Sequence, residues 1–585
     1  MAKKILIMSL TRMGDLVQAT PLIAGLRQMH PGAEITLMVS SDFAEFATRV
    51  PHVDDIVAFN IRQFTKRMAG KEISWVEIYR YLEGFLNDLK ARHYDHVVNL
   101  SHSKLSALMI LYLGIKRVTG FFCNETGDRV TEHPWMQYFG IEPFNRIYNP
   151  FNLVEIFTRS GDIRPEGLSI QLKIPGEGGA STGELVVREK LDDEELIIGI
   201  QAGSSLEGRR WPASRFAELA DQLVENHNAR ILLFGVASES ILAGEITAAV
   251  KRKERVTDLT GKTSIVQLMG LLRKCRYLVT NDTGTMHIAA ALGVRIVGLF
   301  FAHAHPHETG PYTPGNLVFQ ARISCAPCSY GVHCNNIVCT RHVLPHHIQA
   351  MIGSHIQEGT WKVPPDLPGL KELSIFQTRT DADRGLVLQP LIRHPVTLED
   401  IFRYCYSRFW LETFGNISAD VLPDSGARSR IAETIRKDFD CRDVSGVLER
   451  VRVKLGILTQ LRELGRQGMG LGEKILHLCR PGSDSQSLRI FAEAISRIDG
   501  TIDQIGCVHP ELKPITDIFN KRKENFQGEE IESLAEATYR EYYKLREESE
   551  RMGEILSAVV ETLADPAAPG DQVAASSINA LVPGR

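Results

Sequence analysis

The chain has 585 residues, of which 43% are hydrophobic and 24% charged, with a formal net charge of −4. Those proportions exclude wholesale disorder, and at about 100 to 200 residues per domain the length predicts about three domains. The small negative charge excludes a global positive field for nucleic acid or anionic lipid, so any polyanion contact must be local. The opening MAKKILIMSLTRMGD is unlike a signal peptide, and nowhere do about 20 apolar residues run together, so a cytoplasmic location is expected.

In chain order, KKILIMSL is a short apolar run ending in the turn-like TRMGD, after which LVQATPLIAGLRQMHP carries apolar residues at helical spacing. Strands are predicted at Ile35–Val39, near Ile56–Phe59 and at His96–Leu100, with a helix around Phe43–Val50. The same grammar restarts at LIIGIQ (Leu196–Gln201), continues through a helix from about Pro212 and a strand at Arg230–Phe234, then a helix around Ser264–Leu272. RYLVTND and VRIVGLF complete a second open sheet. Two alternating α/β domains of this kind predict a cleft where the carboxyl ends of their strands meet.

The expected organisation is a first α/β domain over 1–175, a second over 176–360, a linker over 361–396 marked by Pro364, Pro365 and Pro368, and a helical domain over 397–565. Its final helix carries Ile531, Leu534, Tyr542, Leu545, Met552, Leu556, Val559 and Leu563 at spacings of three and four, allowing for polar Thr538 and Ser549. The tail over 566–585, with its Pro, Gly, Ala and Ser, reads as disordered, and no repeat of solenoid period is present.

Three turns carry chemistry. SLTRMGDLVQATP places Gly14 and Asp15 at the first strand-to-helix turn, where glycine permits close approach of a ligand. Asp15 reads either as the cap of the following helix or as a base accepting a proton from an attacking hydroxyl. QAGSSLEGRRWP joins small residues to Arg209 and Arg210, a setting for a pyrophosphate whose leaving charge must be stabilised, or simply a solvated helix start. VTNDTGTMHIAAALG puts Asp282, Thr283 and Gly284 at a strand end and His287 on the first turn of a helix facing the cleft. His287 alone reads equally as a structural histidine.

The opening ILIMSLTRMGDLVQATPLIAGLRQMHPGAEITLMV, the middle QAGSSLEGRRWPASRFAELADQL and the later DLTGKTSIVQLMGLLRKCRYLVTNDTGTMHIAAALG together resemble the signature regions of glycosyltransferase family 9, the ADP-heptose heptosyltransferases, over about residues 1 to 355. The resemblance implies a GT-B fold of two facing Rossmann-like domains, followed here by extra helices. It implies an inverting, metal-independent transferase with no resident cofactor. The expected donor is a nucleotide sugar, ADP-heptose, and the expected acceptor a lipopolysaccharide-core or other cell-surface glycan. By motif match Asp15 is the expected general base, and Arg209 stands where the family usually carries a phosphate-binding lysine. Gly203, Ser204, Ser205, Arg209, Thr263, Asp282, Thr283, Gly284 and His287 fall in the expected donor-binding set, with Glu239 a weaker match near the nucleotide ribose.

On the acceptor side the expected contacts are Gly14 and the basic cluster Arg62, Lys66, Arg67 and Lys71, which also reads as a solvated face. CAPCSYGVHCNNIVC gathers Cys325, Cys328, Cys334 and Cys339, with His333 and His342 nearby. Four thiols so placed can bind zinc, but a zinc ribbon spaces its pairs more widely, so free thiols are the favoured reading and no metal is expected. No nucleic-acid partner is expected; peripheral association with the inner membrane face and oligomerisation through the helical domain stay open. A dinucleotide-dependent enzyme is disfavoured because the first turn lacks GxGxxG. The rival of another class is a catalytically idle nucleotide-binding scaffold that recruits partners through its helices.

Overall fold

The first strand, β1 (Lys4–Ser9), is buried along almost its whole length, because a parallel strand with helices over both faces presents neither side to water. It feeds α1 (Met13–Gln18) and α2 (Thr20–Met29), and β2 (Glu34–Ser40), β3 (Asp55–Phe59), β4 (His96–Asn99) and β5 (Val118–Gly120) complete an all-parallel sheet of order β3-β2-β1-β4-β5. The helix α3 (Leu153–Ser160) packs back on α2. The computed structural model describes residues 2–60, 74–174, 180–189, 191, 195–330, 332–381, 385–415, 425–479, 485–526, 528 and 530–565.

A second sheet repeats the design with β6 (Ile197–Gln201), β7 (Arg230–Phe234), β8 (Val256–Asp258), β9 (Tyr277–Asn281), β10 (Arg295–Phe300) and β11 (Leu317–Ala321), all parallel. Its order is β8-β7-β6-β9-β10-β11, with α4 (Gly284–Ala291) following β9. The strand order reverses between β1 and β4 in one sheet and between β6 and β9 in the other, and it is outside such reversals that open sheets bind ligands. The carboxyl ends of the two sheets meet where α1 packs on α4. This is the expected GT-B arrangement of two Rossmann-like domains.

The expected linker over 361–396 is corrected by the structure. It holds β12 (Leu373–Asp381) and β13 (Gly385–Pro390), an antiparallel pair that extends the second sheet beyond β11. The physical reason is that β11 would otherwise present an unpaired edge, and LSIFQTRTD, buried over its first three residues and more exposed toward its end, covers that edge. The three prolines precede this pair and mark no domain boundary. Among the described residues, one compact unit holds the chain up to Met136 together with Phe151–Ile392, and the other holds Gln137–Pro150 with the chain from Arg393 onward.

The second unit is helical. Its longest elements, α5 (Ser445–Leu478) and α6 (Ile531–Ala564), run antiparallel, with Gly465, Gly468 and Gly472 of α5 set against Arg546, Tyr542 and Tyr539 of α6 in turn. The expected stripe is buried from Thr538 through Tyr542, Leu545, Ser549, Met552, Leu556, Val559 and Leu563, whereas Ile531 at the helix start is exposed. Buried Arg522 is neutralised by Glu541 and Glu548, 2.8 and 2.7 Å away. Among the described residues no helix is long and apolar enough to cross a membrane. The tail over 566–585 lies outside the described residues.

Candidate active site

The turn after β1 carries the first group. The N-cap of α1 is Arg12, in extended conformation, and no side chain caps this helix, so Asp15 is not the cap that its position also permitted. Its carboxylate instead accepts a hydrogen bond from the Thr11 hydroxyl at 2.7 Å. Burial raises the Asp15 carboxyl above the ordinary range; Thr11 and Arg12 oppose that push and Asp282 adds to it. A carboxyl so shifted is a stronger base than a solvated aspartate.

Gly14 is buried rather than open to an acceptor. A Cβ there would lie 3.0 Å from His287 Cδ2 and 3.6 Å from Gly284 Cα, so the turn after β1 is seated on the first turn of α4. This contact joins the two domains at their carboxyl ends.

Arg209 ends a short turn over Glu207–Arg209, and its Nη1 meets Asp282 Oδ2 at 3.3 Å, with both side chains less than a tenth exposed. Asp282 thus lies between the two domains' key groups: it raises the Asp15 carboxyl and it holds Arg209. Arg210 has another task, donating from Nε and Nη2 to the Ser204 carbonyl and so fixing the loop after β6. His287 is buried, which pushes its imidazole down to about 4 against an opposing pull from Asp282, so it is neutral at physiological pH. His287 Nδ1, Arg209 Nε and Ser204 Oγ are buried with no hydrogen-bond partner among the described residues.

The expected ribose-side group has a definite seat. Glu239 Oε2 accepts from the Val236 amide at 3.0 Å and from Gln201 Nε2 at 3.1 Å, bridging the ends of β6 and β7. A Cβ on Gly203 would sit 1.8 Å from Glu239 Oε1, so only glycine permits this approach. Thr263 follows a turn in which the Gly261 amide bonds the Gly235 carbonyl, placing it beside the end of β7. Ser205 is exposed on the loop after β6, and Thr283 stands at the N-cap position of α4 without a side-chain capping bond, its hydroxyl 3.2 Å from that of Thr280.

Several residues of the site escaped the sequence reading. Buried Asn281 donates to the Ala202 carbonyl at 2.7 Å and accepts from the Trp211 amide at 3.2 Å, tying the loop after β6 to the end of β9. Thr11 orients Asp15, and Gln201 braces Glu239. Each is a common polar residue whose partner lies elsewhere in the chain or in a turn geometry that spacing does not reveal.

The acceptor-side residues Arg62, Lys66, Arg67 and Lys71 lie outside the described residues. Of the four cysteines, Cys325 and Cys334 are exposed, Cys328 is partly buried and Cys339 is buried, its thiol raised by burial and further by Cys325 and Cys334. The Ala302 backbone holds two of them, its amide donating to Cys339 Sγ at 3.4 Å and its carbonyl accepting from the Cys328 amide at 2.9 Å. Among the described residues no three or more His, Cys, Asp or Glu side chains are placed to hold a metal ion.

Residues 182–336 match the family model of glycosyltransferase family 9 (heptosyltransferase). The chain is also 25% identical over 305 residues to lipopolysaccharide heptosyltransferase 2 of Escherichia coli (strain K12), covering 51% of this chain and 82% of that protein. Over its α/β half this chain is similar to the family-nine glycosyltransferases, the heptosyltransferases. Lipopolysaccharide heptosyltransferase 1 of Pseudomonas aeruginosa is 24% identical over 331 residues, covering 56% of this chain and 86% of that protein. Among solved structures, that of E. coli ADP-heptose lps heptosyltransferase II is 23% identical with a TM-score of 0.46, covering 61% of this chain and 100% of that one. The stretch that matches the family model runs from before β6 to beyond β11 and so contains Gly203, Arg209, Asp282 and His287.

Proposed function

We propose that this chain transfers a heptosyl group from ADP-heptose to a hydroxyl of a lipopolysaccharide-core acceptor, with inversion, in the cytoplasm. The observation that carries the reading is the junction where the carboxyl ends of the two sheets meet: Gly14 seated on His287, Asp15 within electrostatic reach of Asp282, and Asp282 paired with Arg209. The similarity to lipopolysaccharide heptosyltransferases suggests the sugar and the acceptor class.

In this reading the acceptor hydroxyl attacks the anomeric carbon as Asp15 takes its proton. The new C–O bond forms on the face opposite the breaking C–O bond to the diphosphate, and ADP leaves with the bonding electron pair. Arg209 meets the developing diphosphate charge, for which its unpartnered Nε is available. The amides opening α4, Thr283 and neutral His287 contact the donor, while Glu239 with Thr263 flanks the nucleotide ribose. Arg62, Lys66 and Arg67 are assigned to the anionic acceptor. No metal enters the step.

The test is ADP release and product formation with ADP-heptose and a core-oligosaccharide acceptor. The wild type is expected to turn over, and Asp15→Asn to bind ADP-heptose yet transfer about 10²- to 10⁴-fold more slowly, the usual worth of a general base. Transfer by Asp15→Asn at the wild-type rate would remove the mechanism. A folded wild type that binds nucleotide but never releases product would favour the idle scaffold.

A further inference from the structure

The helix α3 of the first domain opens with a capping box: the Asn152 side chain accepts from the Val154 amide at 3.1 Å, and Glu155 Oε2 accepts from the Asn152 amide at 3.2 Å. A capping-box glutamate ordinarily leaves its other oxygen to water. Glu155 has no exposure at all (0%), and its Oε1 reaches the second domain. There it accepts from the Leu386 amide, at the start of β13, at 3.2 Å and from the Tyr312 hydroxyl at 3.4 Å. The Asn152 amide group adds a third link, donating to the Gly310 carbonyl at 3.0 Å. Gly385, at φ +78°, makes room, since a Cβ there would lie 2.2 Å from Glu155 Oε1.

The helix so held is rigidly coupled to the site. Gly161, just past α3, is filled by Leu22 of α2 to within 2.4 Å of where a Cβ would stand, and Gly25 of α2 by Ile163 to within 2.6 Å. One residue, Ala19, separates α2 from α1, which carries Gly14 and Asp15. A shift of α3 therefore moves the Asp15 turn relative to α4.

We propose that Glu155 is a positioning residue: it clasps the first domain to the second and thereby fixes the separation of Asp15 from the Asp282–His287 segment. The inference rests on reading that junction as the active site. Burial pushes the Glu155 carboxyl up to about 7, opposed by Arg159 and by the donors Asn152, Leu386 and Tyr312. Arg159, on the same helix, also meets Glu166 at 3.4 Å, so the charged and titratable groups around the clasp are Arg159, Tyr312 and Glu166. The three-donor clasp is complete only when the carboxyl is ionised, so the transfer rate should rise through about pH 7 on this account.

Glu155→Gln tests this, because an amide keeps the shape but offers one acceptor oxygen where the carboxylate offers two, so that an N–H is set against the Leu386 or the Asn152 amide and the neutral oxygen that remains is a weaker acceptor, and because it does not titrate; Tyr312→Phe is the milder companion. The measurements are hydrogen exchange of the Leu386 amide, ADP affinity, kcat and its pH profile, all on the full chain. Glu155→Gln should exchange Leu386 faster and keep ADP affinity within about twofold. Its kcat should fall at least about tenfold, since misplacements of about 1 Å can cost 10²-fold, and the inflection near pH 7 should be lost. Tyr312→Phe should shift the same quantities less. Unchanged Leu386 exchange in both variants, or a loss of ADP affinity equal to the loss of kcat, would overturn the clasp. A wild type without transfer activity would refute the proposed function instead, and the exchange arm alone would then decide the clasp.

Discussion

Gly14→Ala probes the domain seam with one methyl group. The added Cβ would lie 3.0 Å from His287 Cδ2, with Gly284 Cα behind at 3.6 Å, so it is about half an ångström inside a comfortable carbon contact of about 3.5–4.0 Å. The buried ring of His287 has little freedom to retreat, and the relief must come from separating α1 from α4. Overpacking of this kind costs about 1–3 kcal/mol, while alanine in a helix gains about 1 kcal/mol over glycine, leaving a net loss of about 0–2 kcal/mol. The melting temperature should therefore drop by no more than about 8 °C, at about 2–4 °C per kcal/mol. The transfer assay should respond far more, with kcat/KM falling at least about tenfold, because Asp15 is the next residue and moves with the turn. Gly244→Ala is the control: it lies in the helix Ser240–Ala249 with nothing within 4 Å of the new methyl, and should gain up to about 1 kcal/mol with kcat/KM unchanged. A Gly14→Ala chain with wild-type kcat/KM would refute the contact between the two domains.

Arg209→Ala leaves the Asp282 carboxylate, 8% exposed, without its guanidinium, and denaturant unfolding should register about 3–5 kcal/mol, with Arg209→Lys losing less; a change below about 1 kcal/mol would show that the pair is hydrated. His287 titrates near 4 when folded and near 6.5 when unfolded, so the unfolded chain binds the extra proton between those values. The stability due to neutral His287 is thus complete above about 6.5 and lost as pH falls toward about 4, on the order of 3 kcal/mol in all, and His287→Gln should flatten that part of the pH–stability curve. An imidazole NMR titration with an ordinary midpoint would contradict it.

The parts of the fold that the sequence displays are those with strong local signals. Apolar runs such as ILIMS and RILLF, each followed by helical spacing, fix strands buried on both faces, and the spacing of α6 fixes its inward stripe. The β12–β13 pair was missed because LSIFQTRTD is half polar and follows three prolines, while what makes it a strand is the open edge of β11, which is not a local property. The grouping of Gln137–Pro150 with the helical unit is likewise tertiary. Within the site, the glycines, Asp15 and Arg209 stand at turns the pattern exposes. Asn281 and Glu155 do not: each bonds residues 70 or more positions away, and the sequence shows only an ordinary amide and an ordinary capping glutamate.

The claim underlying all of this is that the turn after β1 and the segments after β6 and β9 enclose one donor site. A crystal structure of the full chain with ADP bound tests it most directly. The expected result is a diphosphate within hydrogen-bond distance, about 3 Å, of Arg209 and the first amides of α4, with the Asp15 carboxylate facing it across the gap. ADP bound away from Arg209, or Asp15 turned from the diphosphate with no space between for a sugar, would contradict the account.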